Sequence, residues 1–458
     1  MKNIVHIVGA GLAGSEAALQ LAARGIDVIL HEMRPVVQTP VHKTGGCAEL
    51  VCSNSLKGTR WDSAPGMLKY ELDVLGSRLF AIAKENSVPA GGALAVDRDQ
   101  FSDAVSRAIE SNPRIVLDRN EVKTLDALAA DGDAIILATG PLTSDSLSEC
   151  IQDLTGSGHL AFFDAAAPIV MADSLDMEKV FRQSRYENGG DAESGDYLNA
   201  PFTKDEYETF IDELLSAERV VAREFESGDL FQACQPIEEI ARAGRDAPRF
   251  GPLKPVGLTD PSTGRRPWAA VQLRAENTQA TSYNLVGFQT NLKFPDQKRV
   301  FRLIPGLEHA EFARFGVMHR NTFVDAPHLL NRNLQLVCGT SAIAAPIYVA
   351  GQLGGTEGYC EAIRSGLHAA ISAIAQLRGI EAPELPATTA FGALLAYATD
   401  PQVTGYQPMH VNFGLMPPLD PPIRNKRERY KAYADRGAKA IENYASDLKA
   451  ANLIAEEQ

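Results

Sequence analysis

Ile4-Val5-His6-Ile7-Val8-Gly9-Ala10-Gly11-Leu12-Ala13-Gly14 decides the fold. An apolar run enters a glycine turn, and Ser15 to Arg24 continues with the alanine and leucine content of a helix. Gly25 stops that helix, Ile26 to Leu30 reads as the next strand, and Glu32 stands just past its end, 23 residues after Gly9. This is a βαβ unit carrying a dinucleotide fingerprint. The first glycine allows the tight turn, the second lets backbone N–H groups approach a pyrophosphate, and the third lets the helix pack close to the strand. The anion then sits at the positive helix end, with Glu32 placed to accept ribose hydroxyls.

Moving outward, Asp133 to Ala138 is a further buried strand ending in Thr139-Gly140-Pro141, a chain break suited to ligand approach. Helices are expected from Met67 to about Lys84 and from about Asp99 to Glu110. From about Ala161 to Arg320 the pattern changes to short β-rich runs such as Tyr283 to Leu292, interrupted by a long helix around Lys204 to Glu226. Ile347 to Ala350 then resumes a buried strand, followed by Gly351-Gln352-Leu353-Gly354-Gly355-Thr356-Glu357-Gly358 and a helical run to Arg378. A charged amphipathic helix is expected from Arg424 onward. The expected fold class is therefore α/β: a discontinuous Rossmann-like FAD-binding domain (1–160 and 321–458) with an inserted α+β domain (161–320) facing the substrate.

The fingerprint is shared by NAD and FAD sites, but deferring the last strand behind a long insertion favours FAD. Gly9, Ala10, Gly11, Leu12, Ala13, Gly14, Glu32, Thr139, Gly140, Gly351, Gln352 and Gly358 are the expected cofactor-binding residues. No second strand-linked GxGxxG exists, so any NAD(P)H would visit as a transient hydride donor.

The 458 residues suffice for two or three domains, and 45% apolar with 22% charged residues is ordinary for a globular chain. A net charge of −14 argues against a whole-surface polyanion binder but not against a local basic face. Cys234 to Arg320 carries 13 basic and 8 acidic residues, a net +5, leaving −19 on the rest. Arg242, Arg245, Arg249, Lys254, Arg265, Arg266, Arg274, Lys293, Lys298, Arg299 and Arg302 include candidates for a phosphate-contacting face, against the alternative of solvated surface and internal ion pairs.

Six cysteines without a Cys-x-x-Cys pair or zinc spacing read as reduced thiols of a cytosol, and no metal site is expected. No stretch approaches the length of a membrane span, and the amino end runs directly into the first strand, so a cytoplasmic protein is expected. Cys47, Cys150, Cys338 and Cys360 fit the ordinary role of small buried hydrophobes. Cys234 precedes Pro236 and a helical start at Ile237, whose N-terminus favours thiolate while Glu238 and Glu239 oppose it. Cys52 lies in the polar loop Glu49 to Ser55 with Lys57 close in sequence, where it could face the flavin.

Gly9 to Gly14, Glu49 to Ser55, Val88 to Arg98, Ala138 to Asp145, Cys234 to Ala241 and Phe250 to Leu258 together resemble the folate- and FAD-dependent tRNA (uracil-5-)-methyltransferases. The likeness continues through Val271 to Arg274, Asn284 to Thr290, Gln297 to Gly306 and His319 to Phe323, in order along nearly the whole chain. It implies a GidA-like flavoprotein architecture. It further implies an enzyme that takes a one-carbon unit from 5,10-methylenetetrahydrofolate and reduces it with FADH2 regenerated by NAD(P)H. The methyl would be placed on C5 of uridine 54 in the tRNA T loop, with no obligate protein partner.

The family's two functional cysteines fall on Cys234, read as the nucleophile that adds to uracil C6, and Cys52, read as the base for the C5 proton or as protector of the flavin. His319 and Arg320 are candidates to orient folate or RNA phosphate. The chain departs from the pattern at Ala200, where Cys is expected, and at Gln235, where Met is usual. The competing expectations are the same chemistry on a ribosomal RNA uridine, and a non-catalytic flavin-containing RNA-binding protein.

Overall fold

The computed structural model describes residues 3–39, 41–156, 160–165, 167–185, 195–220, 235–316, 318–337, 343–403 and 406–455; the side chains of 160–165 and 318–321 are outside the description. Strand β1 (Ile4–Val8), helix α1 (Leu12–Ala23) and strand β2 (Asp27–His31) form the expected unit. β1 and β2 pair in parallel, with Ile4 opposite Asp27 and Val8 opposite His31. The five-stranded parallel sheet runs Ile347–Val349, Ala134–Leu137, β1, β2, Ile115–Asp118. Its edge strand at 347–349 thus comes from beyond the insertion, so the domain is discontinuous in the chain.

The 19-residue helix Tyr359–Leu377 lies against α1. The two approach closely at Gly366, where an added Cβ would overlap the Ala13 carbonyl. A strand's continuous apolar run, rather than alternation, is what burial on both sheet faces requires. Ile135, Ile136 and Leu137 are all fully buried.

Between the two halves stands a six-stranded antiparallel sheet in the order Phe181–Arg182, Tyr197–Phe202, Ala269–Ala275, Ser282–Leu285, Ile169–Met171, Phe312–Arg314. The helices Lys204–Ser216, Ile237–Ala243 and Phe294–Phe301 accompany it, and its core is separate from that of the first domain. The chain crosses between domains twice, and the two crossings pair as an antiparallel ribbon, Leu160–Ala165 against Met318–Phe323.

Several elements differ from expectation for local reasons. The helix expected over 67–84 is two helices, Ala64–Val74 and Arg78–Glu85. Gly76 adopts φ +69° between them, and the Ser77 side chain accepts the Phe80 N–H to cap the second. The helix from Lys204 ends at Ser216. The strand expected over 283–292 stops at Leu285, because Gly287 turns with φ +78° against Pro252. The stretch between β2 and Ala64 contains a short strand, Ser55–Gly58, in a three-stranded sheet with Ala93–Val96 and Ser87–Val88. Among the described residues no helix is long and apolar enough to cross a membrane.

Candidate active site

The three fingerprint glycines meet three different surroundings. Gly9 turns with φ +101°, and an added Cβ would fall 2.5 Å from the Ala138 carbonyl oxygen. Gly14 has no room at all, since a Cβ there would overlap the Gly9 carbonyl. Gly11, which caps α1, faces open space. A close strand-to-helix packing that leaves one vacant approach at a helix N-terminus is the cradle a pyrophosphate needs.

That approach opens into a cavity of about 360 Å³. Gly9, Gly11, Leu12, Ala13, Glu32, Thr139, Gly140, Gly351, Gln352 and Gly358 all line it, whereas Ala10 and Gly14 lie behind the wall. Gly351 and Gly358 hold φ of +73° and +116°, conformations that favour glycine. The geometry therefore brings the two distant glycine-rich segments to one cleft, and the residues present fit FAD.

Glu32 is buried and already engaged. Its carboxylate accepts the Ala10 N–H (3.1 Å) and, from Arg34, the backbone N–H (3.0 Å), Nε (2.8 Å) and Nη2 (3.1 Å). Burial raises its pKa, but the Arg34 bonds outweigh that and hold it below the usual carboxylate range. Arg34 reaches on through Nη1 to Glu49 (3.0 Å), which also accepts from Lys43 and Thr44. The ribose end of the cleft is thereby tied to the loop that leads into Cys52.

Cys52 lines the same cavity. Its backbone is gripped from both domains: the N–H groups of Cys52 and Ser53 donate to the Tyr359 hydroxyl at 3.0 and 3.2 Å. Arg314 of the inserted domain donates to the carbonyls of Val51 (2.6 Å) and Cys52 (3.1 Å), and Arg98 donates to that of Leu50. Burial pushes the Tyr359 pKa up, so the phenol stays protonated. Arg98 and Arg314 thus both reach the backbone of the Cys52 loop, and Arg98 is itself paired to Glu276 across the domain boundary at 2.7 Å.

Residues 4–381 match the family described as glucose inhibited division protein A. A methylenetetrahydrofolate–tRNA-(uracil-5-)-methyltransferase TrmFO of Symbiobacterium thermophilum is 50% identical over 453 residues, covering 98% of this chain and 99% of that protein. The protein of the same name from Geobacter sulfurreducens is 50% identical over 448 residues, 98% of this chain and 100% of its own. The chain belongs to the TrmFO methyltransferase family. Aquifex aeolicus GidA shares the fold, with a TM-score of 0.70 at 18% identity, covering 100% of this chain and 77% of that one.

Against this TrmFO framework the other sequence candidates separate. Cys234 lies outside the described residues, as does Cys338, and so do the side chains of His319 and Arg320. The helix after Cys234 starts at Ile237, whose N–H donates to the carbonyl of Gln289 (2.8 Å), and Gln289 lines the cofactor cavity. The two acids expected to oppose a thiolate there are otherwise occupied. Glu239 pairs with Arg219 at 2.7 Å. Glu238 is fully buried, accepts from Asn291 N–H and Thr290 Oγ1, and is pushed up to about 7, chiefly by burial.

Cys47 and Cys360 are buried and pushed up to about 11 by that burial, so they stay protonated. Ala200 is fully buried in the inserted sheet opposite Val271, a position that asks for a small apolar side chain. Lys57 is drawn to Glu361 at 3.2 Å. Arg34, Arg98, Arg314 and Tyr359 escaped sequence reasoning. Arg34 carried a local signal, two residues past Glu32, while the other three converge only through tertiary structure.

The basic segment also resolves into parts. Arg245, Lys293 and Arg299 are in ion pairs with Asp212, Glu218 and Glu213. Arg274 is buried, with Nε donating to Asn54. Lys254, Arg265 and Arg266 instead line a second, larger groove.

Proposed function

We propose that this chain methylates C5 of uridine 54 in the tRNA T loop, taking the carbon from 5,10-methylenetetrahydrofolate, with FAD reduced by NAD(P)H. The observation that carries the reading is the seating of Cys52 in the wall of the dinucleotide cavity, within a chain half identical to TrmFO proteins over nearly its full length.

FAD would be held by Gly11 at the α1 N-terminus, Glu32, Thr139–Gly140 and Gly351–Gln352, and when bound supplies the reducing equivalents that turn the transferred carbon into methyl. Uracil C5 is a poor nucleophile until C6 is attacked. Cys234 is assigned that attack: its thiolate forms the S–C6 bond, and the electron pair of the C5–C6 double bond moves to make C5 the carbon that takes the one-carbon unit. The C5 proton must then leave, and the Cys52 thiolate is its acceptor. Loss of that proton would expel the carrier nitrogen from the one-carbon unit and leave a methylene on C5, and a hydride equivalent arriving there would displace the Cys234 sulfur and restore the C5–C6 double bond. Arg98, Arg314 and Tyr359 hold the Leu50–Ser53 backbone in place, so the thiol is presented from a fixed loop rather than a mobile one. To reach the cleft the target base must leave its stack.

The test is incubation with unmodified tRNA, NAD(P)H and isotopically labelled methylenetetrahydrofolate, without S-adenosylmethionine, followed by nuclease mapping. Labelled 5-methyluridine in the T loop is expected; flavin-loaded protein that leaves tRNA unlabelled refutes the reading. Cys234→Ala should retain FAD yet form no covalent RNA adduct.

A further inference from the structure

The inserted domain carries a second concavity, about 970 Å³, that the proposed chemistry does not use. It lies where the central strand Ala269–Ala275 begins, next to Trp268. The strand's other end meets the first domain, where Asn54 Nδ2 donates to the Ala275 carbonyl (2.9 Å) two residues from Cys52. At the rise of an antiparallel strand the two ends are separated by about 20 Å.

Its floor is built by a tight turn. Asp260 and Arg265 form an isolated bridge, Pro261–Gly264 close it with Gly264 at φ +65°, and Arg265 and Arg266, both exposed, follow the turn. Lys254 joins them from the facing loop. Among the described residues none of these three has an ion-pair partner. Two of the three acids on the lining are committed elsewhere: Glu206 accepts from the Thr203 N–H and hydroxyl in a helix cap, and Asp260 accepts from Ser262. The wall adds a cation stacked on an aromatic plane, Arg249 lying 3.6 Å from the Trp268 ring centroid. Phe250 beside it is 82% exposed.

We propose that this groove docks the sugar-phosphate backbone of the tRNA body, outside the T loop, and so orients the arm whose loop enters the flavin cleft. The inference rests on the methylation reading for the identity of the RNA. Unpaired cations on a chain of net charge −14 concentrate an approaching polyanion at one face. A groove of this breadth, with several cations and the exposed Phe250 ring along it, suits a nucleic-acid chain better than one small anion. The separation of about 20 Å from the thiol loop places the contact beyond the methylated base.

The test compares wild type with Lys254→Ala/Arg265→Ala/Arg266→Ala by fluorescence anisotropy on an unmodified tRNA transcript across a KCl series, alongside turnover. The variant is expected to bind at least about tenfold more weakly at 0.15 M salt, with a log Kd–log salt slope smaller by about 2 to 3. Flavin content and kcat at saturating tRNA should not change. Arg265→Lys/Arg266→Lys should keep the wild-type slope, because a phosphate needs only the point charge.

An unchanged Kd and slope overturns the proposal. So does a defect confined to KM for polyglutamylated methylenetetrahydrofolate, which would make the groove the seat of that acidic tail. Should the triple variant lose its flavin, Arg266→Ala alone, on an exposed residue, carries the same test with a slope change of about 1. Binding is read without turnover, so wild type that shows the groove-dependent slope but transfers no label would sink the methylation reading and leave the groove an RNA site.

Discussion

His368 offers the sharpest quantitative test of the framework that holds the cleft. It sits on the helix Tyr359–Leu377, whose first residue grips the Cys52 loop, and it is buried. Its Nε2 lies 2.8 Å from the Arg332 carbonyl, so that nitrogen carries the proton, while Nδ1 is buried without a partner among the described residues. A second proton would go to Nδ1, on a residue one helical turn from the buried Arg364 guanidinium. Burial first, and Arg364 second, accordingly lower the pKa from 6.5 to about 3. The folded state then binds fewer protons than the unfolded state between those values, so the contribution is fully present above 6.5 and is lost as pH falls.

Between pH 7 and pH 5 the loss amounts to about 2 kcal/mol, a figure that any folded pKa below about 4 reproduces. His368→Gln can keep a donor toward Arg332 and cannot take up the second proton. Its stability should fall less over that interval by about 2 kcal/mol. Glu71, pushed up to about 7 by burial, titrates in the same window with the opposite sign, but it is present in both proteins and cancels in the difference. The assay is urea unfolding of the apoprotein in a Trp268→Phe background, leaving Trp61 of the first domain as the only tryptophan reporter. Equal losses for both proteins over pH 7 to 5 would refute the assignment of a neutral, proton-refusing imidazole.

Three further outcomes follow from the site. Gly14→Ala should give no folded, flavin-holding protein because its Cβ overlaps the Gly9 carbonyl, whereas Gly11→Ala should fold and purify with little flavin absorbance; flavin retained by Gly11→Ala would deny that the open approach is the pyrophosphate seat. Glu32→Gln exchanges charge-assisted bonds for neutral ones and turns an amide N–H₂ toward donors, so FAD affinity by equilibrium dialysis should drop about tenfold or more. Arg314→Ala frees two carbonyls of the Cys52 loop and should lower methyl transfer to tRNA by about tenfold or more while the bound flavin spectrum persists; wild-type turnover would show that the loop holds its thiol without the second domain.

The parts of this architecture that were legible are those written locally. The β1–Gly9–α1–β2–Glu32 unit announces itself because strand, turn and helix each follow from a few adjacent residues, and Ile347 to Gly351 repeats the trick at a distance. Local reading failed where a short signal interrupts a long one, as at Gly76–Ser77, where a cap splits what apolar content presents as one helix. It overestimated the strand after Tyr283 because it ran through Gly287, which turns with φ +78° where an added Cβ would crowd the distant Pro252. It also could not tell paired cations from unpaired ones, since Arg299 meets Glu213 across 86 positions while the Arg265 side chain makes no ion pair among the described residues.

The residues that sequence reasoning missed share one job, and that bears on why the domain is interrupted. Arg314 approaches from the inserted domain, Tyr359 from the segment beyond it, and Arg98 from before it, and all three end on Leu50 to Ser53. A loop fixed by three separate stretches of chain is held only when both domains are in register. The Arg98–Glu276 pair and the Asn54–Ala275 and Asn54–Arg274 bonds enforce that register within a few residues of the thiol. Buried charge pairs contribute uncertain net stability, yet leaving one partner alone costs several kcal/mol, so such a seam penalises misalignment more than it stabilises alignment. The insertion therefore does more than add a surface: through Arg314 it supplies one of the three arms that hold the Cys52 loop at the cleft, which ties the position of that loop to the seating of the domain that carries the basic groove.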